Sequence, residues 1–204
     1  MEKFISDKTH VILARHGQTE WNRHKMLMGR TDEPLTEEGF SQAEALAEWL
    51  KDFGITTIVS SPMLRAKQTA ETVGNRLGIA PIKVHQELRE RNYGQDEGRI
   101  ISELKAEARA RGTLYFLETP PAGEAHSDFE ERVTRAFDEI IEQHLGEKIL
   151  IVSHSGAIRY IIRRLNNISL SESLYYKVGN ASFHVFSIDK EEHMKSLYSN
   201  IQKL

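Results

Sequence analysis

The sequence has no cysteine among its 204 residues. Disulfide bonds, thiolate catalysis and cysteine-ligated metals are therefore excluded, and a reducing compartment is acceptable. Long hydrophobic runs are also missing. The apolar run at residues 11–14 is too short for a signal-peptide core or a membrane span. We therefore expect a cytoplasmic protein without a membrane partner.

Neither sign of charge is in large excess, because 27 basic and 30 acidic residues give a net charge of -3. Nothing in this balance favours nucleic acid as a partner, so an anionic ligand would need cations that are concentrated locally. Linkers rich in proline, glycine or serine are absent too, and a hydrophobic fraction of 39% fits a globular chain. We predict one domain over residues 1–204.

Short apolar runs alternate with longer amphipathic segments, which is the pattern of a mostly parallel sheet covered by helices. The predicted strands are residues 9–14, 56–60, 82–88, 148–153 and 181–188, the last one antiparallel and at an edge. The predicted helices are residues 36–53, 61–77, 127–144 and 154–165.

Several helix boundaries carry their own signals. Ser61 and Pro62 are typical of an N-cap and a first helical residue, and Gly78 is typical of a helix end. Residues 127–130 form a capping-box pattern. In the first long helix, Phe40 falls on the apolar face that we expect to be buried.

Residues suited to phosphate chemistry follow four of the predicted strands. In chain order, the strands lead to Arg15-His16-Gly17, Arg65, Glu90-Arg91 and His154. The carboxyl ends of parallel strands meet at one rim of the sheet, where open α/β folds bind ligands. Arginine binds phosphate oxygens bidentately, neutral imidazole is a nucleophile near pH 7, and a carboxylic acid can protonate a departing alkoxide. The set predicts phosphoryl transfer with His16 as the nucleophile.

Four segments together resemble the histidine phosphatase superfamily, also called phosphoglycerate mutase-like, over nearly the whole chain. They are residues 15–22 (RHGQTEWN), 60–66 (SSPMLRA), 88–94 (LRERNYG) and 152–156 (VSHSG). The resemblance implies a three-layer α/β/α sandwich with a mostly parallel central sheet. It also implies a phosphohistidine intermediate on His16.

The same resemblance implies roles for the other residues of these segments. Arg15, Arg65 and His154 would complete the phosphate pocket, and Glu90 would be the proton donor. The substrate-binding positions would be Gly17, Asn22, Gly29 and Ser155. The Gly17 carbonyl could fix the His16 tautomer, and backbone N–H groups near Ser155 could add to the anion site. No compact metal-ligand spacing occurs, so we expect neither a metal nor another cofactor.

Some positions depart from the family pattern. Met28 stands where many relatives carry Gln or Thr, and it is either an apolar anchor or a specificity residue. Ala125 lacks the hydroxyl of a related loop, and we expect its neighbour Glu124 to be a solvated loop acid rather than part of a network. Residues 95–98 depart from both the phosphatase pattern and the mutase pattern, so they decide little between these two functions. Residues 100–121 are predicted to form a helical insert or lid.

The favoured function is a phosphatase that acts on small-molecule phosphate monoesters. A cofactor-dependent phosphoglycerate mutase is the main alternative, because residues 90–94 (ERNYG) are similar to the mutase pattern. Against it, the paired arginines and proline run of mutases are absent, since only Arg109 and Arg111 lie between Arg99 and Pro121. A sugar bisphosphatase of the fructose-2,6-bisphosphatase type, an inactive phosphate-binding relative and a homodimer through an edge strand stay open.

Overall fold

The computed structural model describes residues 8–173, 176–189 and 195–201. Its strands are β1 (Lys8–Arg15), β2 (Thr57–Ser60), β3 (Lys83–Val84), β4 (Lys148–Ser153), β5 (Phe183–Asp189) and β6 (Lys195–Ile201). They form one sheet with the order β3-β2-β4-β1-β5-β6.

The helices are α1 (Glu20–Arg23), α2 (Glu37–Leu50), α3 (Leu64–Leu77), α4 (Ile101–Ala110), α5 (His126–Gln143), α6 (Ser155–Asn166) and α7 (Leu170–Ser173). Three short 3-10 helices lie at Gln86–Leu88, Gly94–Asp96 and Tyr115–Leu117. Across the described part of the chain, no helix combines the length and apolar character needed to cross a bilayer.

The strand pairing brings several chain segments to one rim of the sheet. β4 pairs in parallel with both β1 and β2, and β2 pairs in parallel with β3. Arg15 at the end of β1 lies opposite Ser153, and Ser60 at the end of β2 lies opposite Val152. The segments that begin at His16, Ser61 and His154 therefore leave the sheet side by side.

Both faces of the sheet are covered because its central strands are apolar on both sides. On one face, Val11 and Leu13 pack with Ile149 and Ile151 against α5 and α6. On the other face, Ile12 and Ala14 pack with Leu150 against α2 and α3. This alternation with a period of two gives three layers. The predicted α/β/α sandwich is confirmed.

Residues 100–121 pack as a small separate cluster. Leu104 and Ala108 of α4 bury against Leu27 and Tyr115, with Tyr93 partly buried beside them. The helical character of this insert agrees with the sequence expectation, while its role as a lid stays a prediction.

The third predicted strand is wrong over most of its length. Only Lys83 and Val84 pair with β2, and the chain then turns into a 3-10 helix. The guanidinium of Arg132 on α5 donates hydrogen bonds to the carbonyl groups of Glu87, Arg89 and Glu90. These carbonyls therefore bond to a side chain instead of to a sheet ladder.

The predicted start of α3 is also wrong. The helix begins at Leu64 with Met63 as its N-cap residue. The Ser61 hydroxyl lies 2.7 Å from a ring nitrogen of His154, and the carboxylate of Asp32 accepts from the Leu64 N–H at 2.6 Å. The capping function thus passes to a residue distant in the sequence. Gly78 ends the helix in the left-handed conformation, as predicted.

Three further expectations need correction. α5 begins at His126, and Ser127 bonds to Asp128, so the capping box does not form. β5 is antiparallel as predicted, but it is not at the edge because β6 pairs with its other side. Phe40 is 40% exposed, and its neighbour Gly39 packs inward in its place.

Candidate active site

His16 follows β1 directly and is almost completely buried. Its backbone N–H donates to the carbonyl of Ser153, and its carbonyl accepts from the Ala181 N–H. These bonds continue the sheet ladders past the strand end, so the position of His16 is rigid. Its Nδ1 lies 2.7 Å from the carbonyl oxygen of Gly17. Because a carbonyl can only accept, Nδ1 carries the hydrogen and Nε2 keeps its lone pair.

Gly17 allows a close approach of backbone to backbone. A Cβ at this position would lie 2.3 Å from the carbonyl oxygen of Gly39 in the first turn of α2. Its N–H donates to Thr69 on α3, whose hydroxyl in turn donates to the Arg65 carbonyl. The glycine is therefore required for packing against α2, and its carbonyl is what orients His16.

Asn180 connects this turn to Asn22. Its amide nitrogen donates to the carbonyl groups of His16 and Gly17 and, at 2.9 Å, to the side-chain oxygen of Asn22. The same Asn22 oxygen accepts from the Thr19 N–H and completes the capping box of α1. Since the oxygen is occupied, the group that Asn22 can offer an anion is its NH2.

Two arginines, the half-buried Arg15 and the buried Arg65, lie beside His16 without a carboxylate partner among the described residues. Arg15 donates to the carbonyl of Val178, and Arg65 donates to the carbonyls of Gly29 and Thr31. The Nε atom of each is buried and finds no hydrogen-bond partner in the described part of the chain. Burial lowers the pKa of each guanidinium to about 10, so both remain cationic at neutral pH.

His154 completes this group at the end of β4. Its ring centroid lies 5.3 Å from that of His16. Its Nε2 lies 2.7 Å from the Ser61 hydroxyl, which accepts from the Met63 N–H and can therefore donate its hydrogen to the ring. That arrangement favours a hydrogen on Nδ1, the buried ring atom that has no partner among the described residues.

Burial and the surrounding cations keep both imidazoles neutral. The pKa of His16 lies well below its usual value, chiefly because of burial and then because of Arg65 and Arg15. The pKa of His154 is lowered in the same way by burial, Arg65 and His16. A buried cluster of four basic groups can hold a doubly charged anion and retain a neutral nucleophile.

Glu90 enters this rim from the loop after the 3-10 helix at Gln86–Leu88. One carboxylate oxygen accepts from the Arg91 N–H and the other from the Gly156 N–H, each at 2.9 Å. A Cβ at position 156 would lie 2.4 Å from the carboxylate, so a larger residue here would displace Glu90 from this position. Arg132 holds the same loop in place by donating hydrogen bonds to the backbone carbonyl groups of the loop.

Glu97 organises the loop that carries Gly29. Its carboxylate accepts from the backbone N–H groups of Arg30, Thr31 and Tyr93 and from the Thr31 hydroxyl, at 2.6 to 3.1 Å. The carbonyls of Gly29 and Thr31 then receive the two terminal nitrogens of Arg65. Glu97 thus determines the shape of the loop that orients Arg65, a structural role that the sequence did not predict.

Met28 and Ser155 lie in contrasting surroundings. Met28 is buried, and its sulfur accepts from the Thr19 hydroxyl at 3.9 Å, which supports the role of an apolar anchor. Ser155 is the first residue of α6, and its hydroxyl accepts from Arg159 one turn later.

Glu124 is not a solvated acid, contrary to the sequence expectation. Its carboxylate forms a two-bond ion pair with Arg132, at 2.6 and 2.9 Å, and accepts from the Asn92 N–H. Burial acts to raise the pKa of Glu124. Nevertheless, the bonds and charge of Arg132, with the Asn92 N–H and the charge of Arg30, hold this pKa below its usual value.

The structure brings all nine predicted site residues together at one rim of the sheet, and their individual roles stay predictions. Asn180, Arg132 and Arg159 were missed because they lie outside every segment that resembles the family. Only their long-range contacts reveal them. Glu124 was expected to be solvated, and no structural role was predicted for Glu97. Within residues 8–173, 176–189 and 195–201, no group of three or more His, Asp or Glu side chains could hold a metal ion.

The fold and the chemistry of this rim define a phosphoric monoester hydrolase. The model of the histidine phosphatase superfamily (branch 1) matches residues 11–201, and the chain belongs to this superfamily. Both the predicted family and the predicted enzyme class are confirmed.

Proteins with several different names are similar to this chain in sequence or in structure. Phosphoglycerate mutase-like protein 4 of Arabidopsis thaliana is 30% identical over 189 residues, which cover 89% of this chain and 80% of that protein. The uncharacterized phosphatase PhoE of Bacillus subtilis is 34% identical over 158 residues, which cover 78% of each chain. A mycobacterial glucosyl-3-phosphoglycerate phosphatase matches with a TM-score of 0.81 and 28% identity, over 96% of this chain and 100% of that one.

Proposed function

We propose that this protein hydrolyses small phosphate monoesters through a phosphohistidine intermediate on His16. The observation that carries the proposal is the bond from His16 Nδ1 to the Gly17 carbonyl, which leaves Nε2 unprotonated beside Arg15 and Arg65, for which the described residues supply no counter-anion. Phosphoryl transfer depends mainly on such positioning and charge stabilisation.

In the first step the phosphate group binds between the arginines. The guanidinium groups of Arg15 and Arg65 offset its two negative charges, and the Nδ1–H of His154 and the amide of Asn22 donate to its oxygens. Since Arg65 is held by the carbonyls of two loop residues, binding requires little rearrangement of that side chain. Preorganised donors of this kind stabilise charge in the transition state without further cost.

The Nε2 lone pair of His16 then attacks phosphorus in line with the departing oxygen. The phosphorus–nitrogen bond forms as the phosphorus–oxygen bond breaks, and the positive charge on the ring is shared with the Gly17 carbonyl. Glu90 gives its proton to the alcohol oxygen that leaves. In the second step Glu90 takes a proton from water, which attacks phosphorus and releases inorganic phosphate and neutral His16.

The test is phosphate release by wild type and His16→Ala over a panel of metabolite monoesters. We expect turnover by the wild type and its loss in the variant, with an acid-labile, base-stable phosphoryl label on His16 after rapid quenching. The folded state of the variant is checked by circular dichroism. Activity close to that of wild type in His16→Ala would contradict the proposal.

The mutase alternative shares the intermediate but differs in the acceptor of the phosphoryl group. Incubation with 2,3-bisphosphoglycerate and a labelled monophosphoglycerate separates the two activities. A phosphatase releases free phosphate, whereas a mutase moves the label between the two monophosphoglycerates. We expect release to exceed transfer, and the opposite ratio would assign the mutase activity.

We also propose a cytoplasmic location, which the absence of cysteine supports because no disulfide has to form. We further propose that two copies of the chain associate as a homodimer through the sheet edge at β6. Light scattering coupled to size-exclusion chromatography tests it, with a mass near twice 23.4 kDa expected for the dimer.

A further inference from the structure

A third arginine, Arg159 on α6, lies near the proposed reaction centre without a carboxylate partner. Its guanidinium donates to the hydroxyl and the carbonyl of Ser155, and both of these acceptors are neutral. Its Nε is buried and has no hydrogen-bond partner among the residues that the structure describes, a condition that it shares with Arg15 and Arg65. An ion pair with Asp or Glu is absent for Arg159 within the described chain. A partly desolvated cation in this state favours the binding of an anion.

Arg159 lies on the side of the site where Glu90 lies. The N–H of Gly156, in the same turn of α6, donates to Glu90 at 2.9 Å. Burial lowers the pKa of Arg159, while the charge of Glu90 opposes this effect. A general acid must be within hydrogen-bond distance of the departing oxygen. Groups beside Glu90 therefore face the leaving group rather than the far oxygens of the phosphate.

When the charges of the site and of a bound phosphate monoester are counted, the positive charge of Arg159 is not offset. The dianionic phosphate of a monoester offsets Arg15 and Arg65, and Glu90 is neutral when it carries the proton that it donates. Arg159 then remains as one uncompensated positive charge next to the leaving group. A carboxylate supplies one negative charge and the planar geometry that suits a guanidinium. A second phosphate dianion would overcompensate this single cation.

We propose that Arg159 binds a carboxylate on the leaving group, so that the preferred substrates are phosphate monoesters with a carboxylate a few bonds from the ester oxygen. This inference rests on the proposed phosphatase function and specifies its substrate class. Arg159 distinguishes between leaving groups, whereas Arg15 and Arg65 bind the part that all phosphate monoesters share.

The test compares O-phosphoserine with phosphoethanolamine, which differ only by the carboxylate. The measured quantity is the carboxylate preference, defined as the ratio of kcat/KM for the first ester to that for the second. We expect a ratio of about ten or more for the wild type, and a fall of about tenfold in Arg159→Gln. Arg159→Lys, which keeps the charge and loses the planar fork, should retain part of the preference.

The matched control is Arg164→Gln on the same helix. Arg164 pairs with Asp138 at the exposed surface, so its replacement should leave the ratio unchanged. Circular dichroism and the thermal midpoint establish that each variant is folded.

Several outcomes would overturn the inference. One is a wild-type ratio near one, and another is a high ratio that persists in Arg159→Gln. Equal loss on both esters would show that Arg159 acts through Glu90. A preference for fructose 1,6-bisphosphate over fructose 6-phosphate that depends on Arg159, without a carboxylate preference, would assign the site to a second phosphate. In each case hydrolysis that depends on His16 leaves the proposed function intact, whereas turnover by His16→Ala contradicts that function alone.

Discussion

The Nδ1 of His16 lies 2.7 Å from the carbonyl oxygen of Gly17, the next residue in the chain. A strand end therefore supplies both a nucleophile and the group that fixes its tautomer. Asn180 holds the same carbonyl from the other side, at 3.1 Å. The orientation of the ring depends on one short local contact and on one side chain that arrives from more than 160 residues away.

The first prediction concerns the charge of the two site histidines. Their pKa values are held below the usual imidazole value of about 6.5 by burial and nearby arginines, so both rings should stay neutral as the pH falls from about 8 to about 6. Protonation would remove the attacking lone pair, so a lowered pKa extends activity to lower pH. NMR titration of the ring protons, with signals assigned through His16→Ala and His154→Ala, measures this. A midpoint at or above about 6.5 for either ring is the contrary result.

The second prediction is that Asn180→Ala lowers kcat by roughly ten- to a hundredfold. The amide bonds the carbonyls of His16 and Gly17 and the side chain of Asn22, and small displacements of a nucleophile are costly. Steady-state kinetics on any accepted ester tests it. Asn75→Ala is the matched control because Asn75 is exposed on α3. An unchanged kcat in Asn180→Ala would mean that the ring is held without this residue.

The third prediction is that Glu97→Gln lowers kcat/KM by roughly tenfold or more. Its carboxylate accepts four hydrogen bonds, and an amide would direct its NH2 at backbone N–H groups. If Glu97 acts by positioning Arg65, the loss should be far from additive in a double variant with Arg65→Lys. The control is Glu44→Gln, at an exposed position of α2. If the losses in kcat/KM from Glu97→Gln and Arg65→Lys were additive in the double variant, the two residues would act independently, contrary to the prediction.

The fourth prediction concerns stability. Arg132→Met should lower the free energy of unfolding by about 3 kcal/mol, because it leaves the largely buried Glu124 without its bidentate partner. Urea denaturation measures the change, and Glu124→Gln in the same chain should recover part of it. Arg135→Met, exposed on the same helix, should stay within about 0.5 kcal/mol of wild type. A loss below about 1 kcal/mol in Arg132→Met would show that the pair adds little.

Local sequence signals gave correct results where the neighbouring residues determine the outcome. The continuous apolar run from Val11 to Ala14 predicted a buried strand, and Gly78 predicted a helix end. Ser61 failed as the N-cap residue because α3 begins three residues later, at Leu64. Its hydroxyl accepts from the Met63 N–H and contacts His154, which is 93 residues away, and no pattern of adjacent residues reveals that distant contact.

The sequence by itself determined the order of the four strands β1, β2, β4 and β5 and of the long helices α2, α3, α5 and α6, and the four segments that mark the family. It did not predict β6, and it overestimated the length of β3. It also determined that Arg15, His16 and His154 each stand at a strand end. Only the tertiary structure decided the ring orientation of His16, the support of Glu90 by Arg132 and Gly156, and the unpaired state of Arg159. The hydrophobic periodicity of the sequence indicates which faces of a helix or strand are apolar, and it therefore determines how the helices and the sheet stack in layers. Hydrogen bonds and ion pairs join residues far apart in the chain, so their geometry exists only once the layers have packed.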